Sequence, residues 1–519
     1  MSTVTGVNDH TFDASIPYTV ITSNAMSSDA QYNGRAVADV AVINTTAAHE
    51  QAYLKASNAD TLDVFGVAVA ISADGNTIAT ASTVEASAAT GIGGNQADNS
   101  APSSGAVYIY TRSGTSWSQQ AYVKASNAEA GDGFGSSLAL SADGNTLVVG
   151  ALSEASGALG VGGNQSDNAA PASGAAYVFR RTGITWSQQA YLKASNTFGG
   201  AQFAAAVSLS AAGDVLAVGS ASERSGARGV DGNQSDRSFM SAGAVYMFRF
   251  ASGAWMQEAY VKASNTDAGD TFGVSLALSG DGLTLAVSAF SEDSNAVGPG
   301  GEQADNSYSN SGAVYLFHRD AAWHQTDYIK ASNTGLEDRF GSRVALSSDG
   351  HTLAVAAWQE ASNALGINGD QMDNSGPSPG AIYVFNLGST WSQQAYIKSS
   401  APGQFFGAAL SLTPDGNSLA VGASLSNGEV VDIGNPSSAI TQTGALFLLR
   451  RAGGAWSQNA VIRSRFPSGG DAFASTCAIA NDGHTIVVGA AREDGSAAGT
   501  DESDNSLTDS GAVFIFVDE

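Results

Sequence analysis

Residues 121–189 read AYVKASNAEAGDGFGSSLALSADGNTLVVGALSEASGALGVGGNQSDNAAPASGAAYVFRRTGITWSQQ, and the chain then starts the same text again with AYLKASN. The tyrosine of AYVKASN recurs at Tyr53, Tyr122, Tyr191, Tyr260, Tyr328 and Tyr396, and Val461 takes its place in a weaker copy. Successive spacings are 69, 69, 69, 68, 68 and 65 residues. Because a fixed period of this kind is typical of repeat architectures, the sequence predicts seven copies of one supersecondary unit.

Each copy contains four candidate strands separated by turn residues. In the second copy the strands are residues 134–141, 146–151, 174–179 and 186–193. Asp143-Gly144 between the first two indicates a tight hairpin, and the third is apolar on both faces, as in a strand packed between two sheets. Four antiparallel strands in each of seven units predict an all-β fold, a seven-bladed β-propeller.

The two ends of the repeat region are complementary. The chain ends just after a third strand (residues 510–516), while Gln51–Lys55 is a fourth strand with no earlier partner. Pairing these two segments removes two exposed sheet edges, so we expect the N-terminal strand to complete blade seven and close the ring.

The predicted domains are a non-repeat N-terminal extension, residues 1–47, and the propeller, residues 48–519. The extension contains two strand-like pieces, residues 18–22 and 37–43, around a polar stretch. Two interpretations stay open: a leader packed on the outside of the propeller, or a segment that adds a strand to a neighbouring subunit.

Composition excludes several classes of function. With 48 acidic and 22 basic side chains the net charge is −26, which repels phosphate backbones and argues against nucleic-acid binding. No stretch of 18 apolar residues predicts a transmembrane helix. The N-terminus lacks the basic and apolar regions of a cleaved signal peptide, which leaves the export route open. Cys477 is the single cysteine, and we expect it to be a small buried apolar side chain.

Seven phenylalanines, mostly followed by glycine, each begin an alternating strand: Phe65, Phe134, Phe203, Phe272, Phe340, Phe406 and Phe473. Together with downstream segments such as Leu147–Ala151 (LVVGA), they resemble the FG-GAP repeat of integrin α-subunit propellers and of bacterial surface proteins. The resemblance implies an extracellular or cell-surface protein, with binding or adhesion on the face that carries the long loops. One family feature is missing, because the DxDxDG calcium loop between the first two strands is reduced to a single aspartate per turn, and one carboxylate cannot supply the six to eight oxygens that calcium takes.

Oxygen-bearing side chains concentrate instead in the long loop between strands two and three and in the linker between blades. Because these two segments meet on one face, their oxygens form a set of candidate calcium ligands. The alternative is that the Asp and Asn side chains order the loops by hydrogen bonds to backbone amides, without a metal. The candidates are Asp63, Glu85, Asp98, Asn99, Asp132, Glu154, Asp167, Asn168, Asp270, Glu292, Asp305, Asn306, Asp338, Glu360, Asp373 and Asn374.

The lysine of AYxKASN recurs with the repeat, and we expect it to pair with these carboxylates or to lie along the strand edge. Catalysis finds no support, because the six histidines are scattered and no Ser-His-Asp, HExxH or cysteine-pair motif is present; we predict that the protein is not an enzyme. Apart from calcium, no cofactor is expected. The predicted function is a binding or adhesion module for a protein or glycan ligand. The alternative is a subunit of an extracellular filament or sheath that self-associates through residues 1–47.

Overall fold

A computed structural model describes residues 16–20, 40–44, 48–400, 404–425, 443–466, 468–496 and 502–518. These residues form thirty β-strands in seven four-stranded sheets and one two-stranded sheet. Within those ranges no helix has the length and apolar character needed to cross a membrane.

The seven sheets are the predicted blades, and all their pairings are antiparallel. Blade 1 contains β4 (Ala68–Ile71), β5 (Thr77–Ser82), β6 (Ala106–Ser113) and β7 (Ser116–Val123). Blades 2 and 3 contain β8 (Phe134–Leu140), β9 (Thr146–Ala151), β10 (Ala175–Thr182) and β11 (Thr185–Leu192), then β12 (Ala206–Leu209), β13 (Val215–Ser220), β14 (Ala244–Ala251) and β15 (Ala254–Val261). Blades 4 and 5 contain β16 (Leu276–Leu278), β17 (Thr284–Ala289), β18 (Ala313–Arg319) and β19 (Trp323–Ile329), then β20 (Phe340–Leu346), β21 (Thr352–Ala357), β22 (Ala381–Leu387) and β23 (Trp391–Ile397). Blade 6 contains β24 (Gln404–Leu412), β25 (Ser418–Leu425), β26 (Ala445–Ala452) and β27 (Ala455–Ile462).

Blade 7 confirms the predicted ring closure. It contains β28 (Phe473–Ile479), β29 (Thr485–Ala490), β30 (Ala512–Val517) and, as its outermost strand, β3 (His49–Leu54) from the start of the repeat region. The pairing of β3 with β30 runs from His49↔Val517 to Leu54↔Val513. Leu54 and Val513 then pack with Phe65 and Ile78 of blade 1 in one apolar cluster, so the join between the chain's two ends is buried like the other blade contacts.

The Asp-Gly pairs form the predicted turns. In blade 2 the Asp143 carboxylate accepts hydrogen bonds from the Asn145 amide (2.9 Å) and the Ser141 hydroxyl (2.5 Å), and Gly144 has a φ of 65°. An Asp side chain that bonds to the backbone two residues later and a left-handed glycine together fix a tight turn.

Adjacent blades are joined through a phenylalanine at or near the start of the inner strand and a glycine in the preceding blade. The Phe203 amide donates to the Ser173 carbonyl oxygen (2.9 Å), and Phe203 lies edge-on to Tyr246. Gly174 has a φ of 79°, and a Cβ there would lie 2.1 Å from the Phe203 carbonyl oxygen. Glycine is therefore required for the blades to approach this closely.

Two further features lie outside the blade pattern. Strands β1 (Ile16–Val20) and β2 (Val40–Asn44) of the N-terminal extension pair antiparallel in a separate sheet. The rest of the extension is outside the described residues. Cys477 is half-buried on β28, with its thiol 3.7 Å from the Ala420 carbonyl oxygen.

Candidate functional site

The two kinds of long connection meet on one side of the ring, which we call the long-loop face. It consists of the loops between the second and third strands of each blade and the linkers that lead from one blade to the next. The long loops are residues 83–105, 152–174, 221–243, 290–312, 358–380, 426–444 and 491–511, of which 426–442 and 497–501 are outside the described residues.

In blades 1–5 the long loop folds back along the outermost strand of its own blade. In blade 2, Val161 forms a β-bridge with Leu192, and the Gly162 amide donates to the Tyr191 carbonyl oxygen (2.9 Å). Equivalent bridges join Ile92 to Val123 and Val230 to Val261. The loops thus cover one end of the outer sheet edge, which would otherwise be free to pair with other chains.

A buried ion pair holds the root of the long loop in blades 1–5 and 7. In blade 2, Glu154 and Lys193 are almost fully inaccessible, and Lys193 Nζ lies 2.7 Å from Glu154 Oε2. Lys193 also donates to the Ser173 hydroxyl (2.7 Å), and the Tyr191 hydroxyl donates to Glu154 Oε1 (2.8 Å). Burial lowers the pKa of Lys193, and the charge of Glu154 opposes that shift.

The same pair recurs around the ring, in line with the expectation that the repeated lysines meet the loop carboxylates. The N–O distances are 2.8 Å for Lys55–Glu493, 2.7 Å for Lys124–Glu85, 3.0 Å for Lys262–Glu223, 2.8 Å for Lys330–Glu292 and 2.5 Å for Lys398–Glu360. These and Lys193 are all the lysines of the chain. Lysine is among the residue types most rarely buried, so its confinement to this position indicates a structural role.

The asparagine of KASN completes the network. Asn127, in the linker that leads into blade 2, donates to Glu154 Oε1 (3.0 Å) and accepts a hydrogen bond from the Tyr177 hydroxyl (2.6 Å). Asn58, Asn196, Asn265 and Asn333 make the same contacts in blades 1, 3, 4 and 5. Sequence reasoning did not assign this asparagine or tyrosine a role, although their recurrence with the repeat was a usable signal.

The predicted aspartates of the linkers are buried and accept hydrogen bonds from backbone amides. Asp132 accepts from the Glu129 amide (2.9 Å). Burial raises the pKa of this carboxyl to about 7. Asp63, Asp270, Asp338 and Asp471 have the same kind of contact, and burial raises the pKa of each to about 7.

The Asp-Asn elements of the long loops lie further out, on the surface. Asp98, Asp167, Asp305 and Asp373 each accept from the amide two residues later, at 2.9–3.1 Å. Asn99, Asn168 and Asn306 donate to an acidic side chain of the neighbouring linker, Asp60, Glu129 and Asp267 respectively, while Asn374 is exposed.

The candidate ligands therefore form separate groups: glutamates with lysine at the loop root, aspartates on linker amides, and Asp-Asn pairs at the surface. A calcium ion takes six to eight oxygens around one point, whereas the Glu154 oxygens already accept from Lys193, Tyr191 and Asn127. In the part of the chain that the structure describes, no group of three or more His, Cys, Asp or Glu side chains is arranged to hold a metal ion. The root glutamates are therefore occupied by lysine, and calcium binding by the candidate residues stays a prediction.

On the outer side of the ring, a tryptophan of one blade is bonded to a glutamine of the preceding blade. Trp186 Nε1 donates to Gln120 Oε1 (2.9 Å), and Trp117, Trp255 and Trp456 make the same contact with Gln51, Gln189 and Gln394. These contacts stabilise the ring without adding chemistry to the loop face.

A match to one protein family supports the fold class. The FG-GAP repeat profile matches residues 117–179 and 255–317, and no curated protein matches the chain. Among solved structures, a Cps50 (Swd1) β-propeller domain from Myceliophteria thermophila is 7% identical, with 91% of this chain and 99% of that one covered and a TM-score of 0.48. A putative 6-phosphogluconolactonase from Bacteroides uniformis is 13% identical, with 78% and 86% covered and a TM-score of 0.41. Neither of these two likenesses carries weight for fold or function.

Seven four-stranded blades closed by an N-terminal strand define the class, a seven-bladed β-propeller with its long loops on one face. The matched profile and the recurring phenylalanine and glycine contacts support an FG-GAP repeat β-propeller. FG-GAP repeats are typical of extracellular proteins, and their propellers are typically non-enzymatic binding modules.

Proposed function

We propose that this protein is an extracellular binding module that holds a protein or glycan ligand on its long-loop face and catalyses no reaction. The observation that carries the proposal is the distribution of exposed apolar side chains. Among the described residues, all the exposed large hydrophobic side chains except Ile184, Met256 and Val461 lie in the long loops or in the inter-blade linkers. Exposed apolar groups concentrated on one surface are typical of interaction sites.

The difference between the buried root and the exposed tip of the loops supports the same proposal. In blade 2 the loop root is fixed by a buried glutamate, Glu154, that Lys193, Tyr191 and Asn127 all contact. The loop tips carry exposed groups that make no core contact, such as Leu365 and Met372, which are 59% and 79% exposed. Rigid loops with variable tips are the usual way in which a scaffold presents binding residues.

An extracellular location is consistent with the chain's acidic charge of −26, which keeps a large surface soluble. The buried carboxylates repeat with the scaffold rather than converging at one position, which favours structural use over catalysis. We infer that the lysine ammonium performs, at the loop roots, the charge neutralisation for which a cation would otherwise be needed.

A binding screen on an array of extracellular glycans and matrix proteins tests this function. The variant L365D/M372D places charges on the blade 5 loop, and I184D places one on the short β10–β11 turn, where Ile184 is 80% exposed. We expect the first variant to lose or weaken binding of at least one array compound and the second to bind like the parent protein. Equal binding by all three proteins, or no binding to any compound, would contradict the proposal.

A second function, subunit of an extracellular filament, is favoured by the N-terminal extension. Within the described residues, strands β1 and β2 form a two-stranded sheet separate from the blade sheets, and the edge of such a sheet is able to accept a strand from a neighbour. Negative-stain images separate the two functions: isolated rings support the binding module, whereas ordered fibres that disappear when residues 1–47 are deleted support the filament.

A further inference from the structure

Blade 3 differs from the other blades at the surface of the long-loop face. In blades 1, 2 and 4 the asparagine of the Asp-Asn element donates to an acidic side chain 39 residues earlier. In blade 3 these two positions are Arg237 and Phe198, and the guanidinium lies 4.4 Å from the centre of the phenyl ring. A polar contact with one negative charge has been replaced by a cation–π contact with one positive charge.

Two more arginines enter the same loop. Arg224 directly follows the root glutamate, at a position that is Ala86, Ala155, Asp293, Ala361 or Asp494 in the other blades with a described loop root; Arg228 stands where Thr90, Leu159, Val297 and Leu365 occur. The buried linker aspartate is also absent, since Ala201 replaces the equivalent of Asp132. The blade-3 sector, defined as Phe198, Arg224, Arg228 and Arg237, is therefore basic within an acidic surface.

Little of this positive charge is neutralised within the described residues. Arg224 lies over the Phe198 ring at 5.2 Å, and neither it nor the exposed Arg228 forms a salt bridge in that part of the chain. Arg237 is 3.7 Å from Glu223, which is already paired with Lys262 at 3.0 Å. The other two acids of the loop accept hydrogen bonds from backbone amides: Asp231 from the Tyr260 amide and Asp236 from the Gly226 amide.

We propose that the blade-3 sector binds the carboxylate group of an acidic oligosaccharide. The inference rests on the proposed function, because it assigns a ligand to one part of the long-loop face. Guanidinium groups form bidentate hydrogen bonds with carboxylates, and the Phe198 ring contacts two of them, Arg224 and Arg237. The loop adds polar side chains for hydroxyl groups, with Asn233 and Ser235 exposed at its tip.

The surroundings of the sector select the ligand. A long polyanion is repelled by the remaining surface of a chain with a net charge of −26, so a short ligand with one or two carboxylates fits better. A peptide that binds by strand addition would need a free strand edge to pair with, but the Val230–Val261 bridge places the loop along the outer strand of blade 3. A sugar acid needs neither an edge nor a groove.

Isothermal titration of the full-length protein tests this assignment with a matched pair of probes. The probes are a glucuronate-containing tetrasaccharide and the same tetrasaccharide with its carboxyl groups reduced to alcohols. We expect binding of the acidic probe only, weakened by added salt because exposed charges are screened. The variant R224Q/R228Q/R237Q should bind it at least about tenfold more weakly, since one charge-assisted hydrogen bond is worth about that factor.

The control variant R180Q/R465Q/R492Q removes three exposed arginines outside the blade-3 sector and has the same net charge as the variant R224Q/R228Q/R237Q. It should bind like the parent protein. Because Arg237 also donates to the Asn196 carbonyl oxygen (2.7 Å), R228Q alone is measured as a variant that leaves the loop contacts intact, and it should weaken binding severalfold.

Equal affinity for the two probes, equal weakening in the triple variant and its control, or no binding of the acidic probe would each overturn the assignment. If an acidic peptide binds the triple variant less well than the parent while the tetrasaccharide does not bind, the sector recognises protein and the sugar assignment is wrong. Failure here with array binding still abolished by L365D/M372D would leave the proposed function standing, so the two failures are distinguishable.

Discussion

Replacement of Lys193 by methionine tests whether the buried ion pair holds the long loop. Methionine preserves most of the side-chain volume but removes the ammonium that contacts Glu154 and Ser173, each at 2.7 Å. Glu154 would remain buried with only the Tyr191 and Asn127 donors. Loss of one partner of a buried ion pair costs about 3–5 kcal/mol, because the other charge stays unpaired and away from water.

The expected shift in melting temperature follows from the size of the domain. With an unfolding entropy of about 2.1 cal/mol/K per residue over roughly 470 residues, the loss corresponds to about 3–5 °C. Differential scanning calorimetry measures this shift. The double variant K193M/E154Q, in which the uncompensated charge is also removed, should recover part of it, since neutral partners avoid the desolvation cost.

R180M, at an exposed arginine in the same blade, is the control and should melt like the parent protein. A K193M protein within about 1 kcal/mol of the parent, the range of an exposed ion pair, would refute the reasoning. A double variant no more stable than K193M would refute it as well.

Three further predictions follow from the same network. Acetylation with an N-hydroxysuccinimide ester should leave all six lysines of the native protein unmodified and modify all six in urea, because each side chain is at most 4% exposed; rapid native labelling at any of these lysines by mass spectrometry would contradict the structure. Thermal stability should fall as the pH rises through about 7. Burial raises the pKa of the linker aspartates to about 7, so the stability that they contribute is fully present below their unfolded pKa near 4 and is lost as they ionise. The slope of melting temperature against pH should flatten between pH 5 and 8 in a variant with asparagine at Asp63, Asp132, Asp270, Asp338 and Asp471. Melting curves at pH 7 with calcium and with a chelator should coincide, because lysine already occupies the acidic loop root; a higher melting temperature with calcium would instead support the calcium prediction.

The fold was predictable because the repeat fixes it many times over. The recurring phenylalanines and Asp-Gly turns define the strands, and the unpaired segment around Gln51 defines the closure with β30. Each of these signals depends on local pattern or on the complementarity of the two chain ends. Both kinds of signal can be read directly from the amino-acid sequence.

The candidate site was less predictable, because it depends on which side chains share one hydrogen-bond network. Asn127 is distant in sequence from Glu154, and only the folded linker brings its amide to that carboxylate. Residue type alone placed Glu154 and Asp132 in one set of calcium ligands, whereas the structure gives each its own partners. In the sequence, Arg237 is only a departure from the Asp-Asn element of the other blades. The contact of Arg237 with Phe198 in the structure shows where this change of charge lies.

Methionine oxidation of the full-length protein, with and without the array compound that binds most tightly, tests the binding face most directly. Met240 and Met372, 67% and 79% exposed, lie in the long loops of blades 3 and 5, while Met256, 55% exposed, lies on the outer strand β15. Dilute peroxide followed by mass spectrometry measures the oxidation rate at each site. The proposed function predicts that saturating ligand slows oxidation at Met240, Met372 or both and leaves Met256 unchanged. Protection of Met256 with unchanged rates at both loop methionines would contradict it.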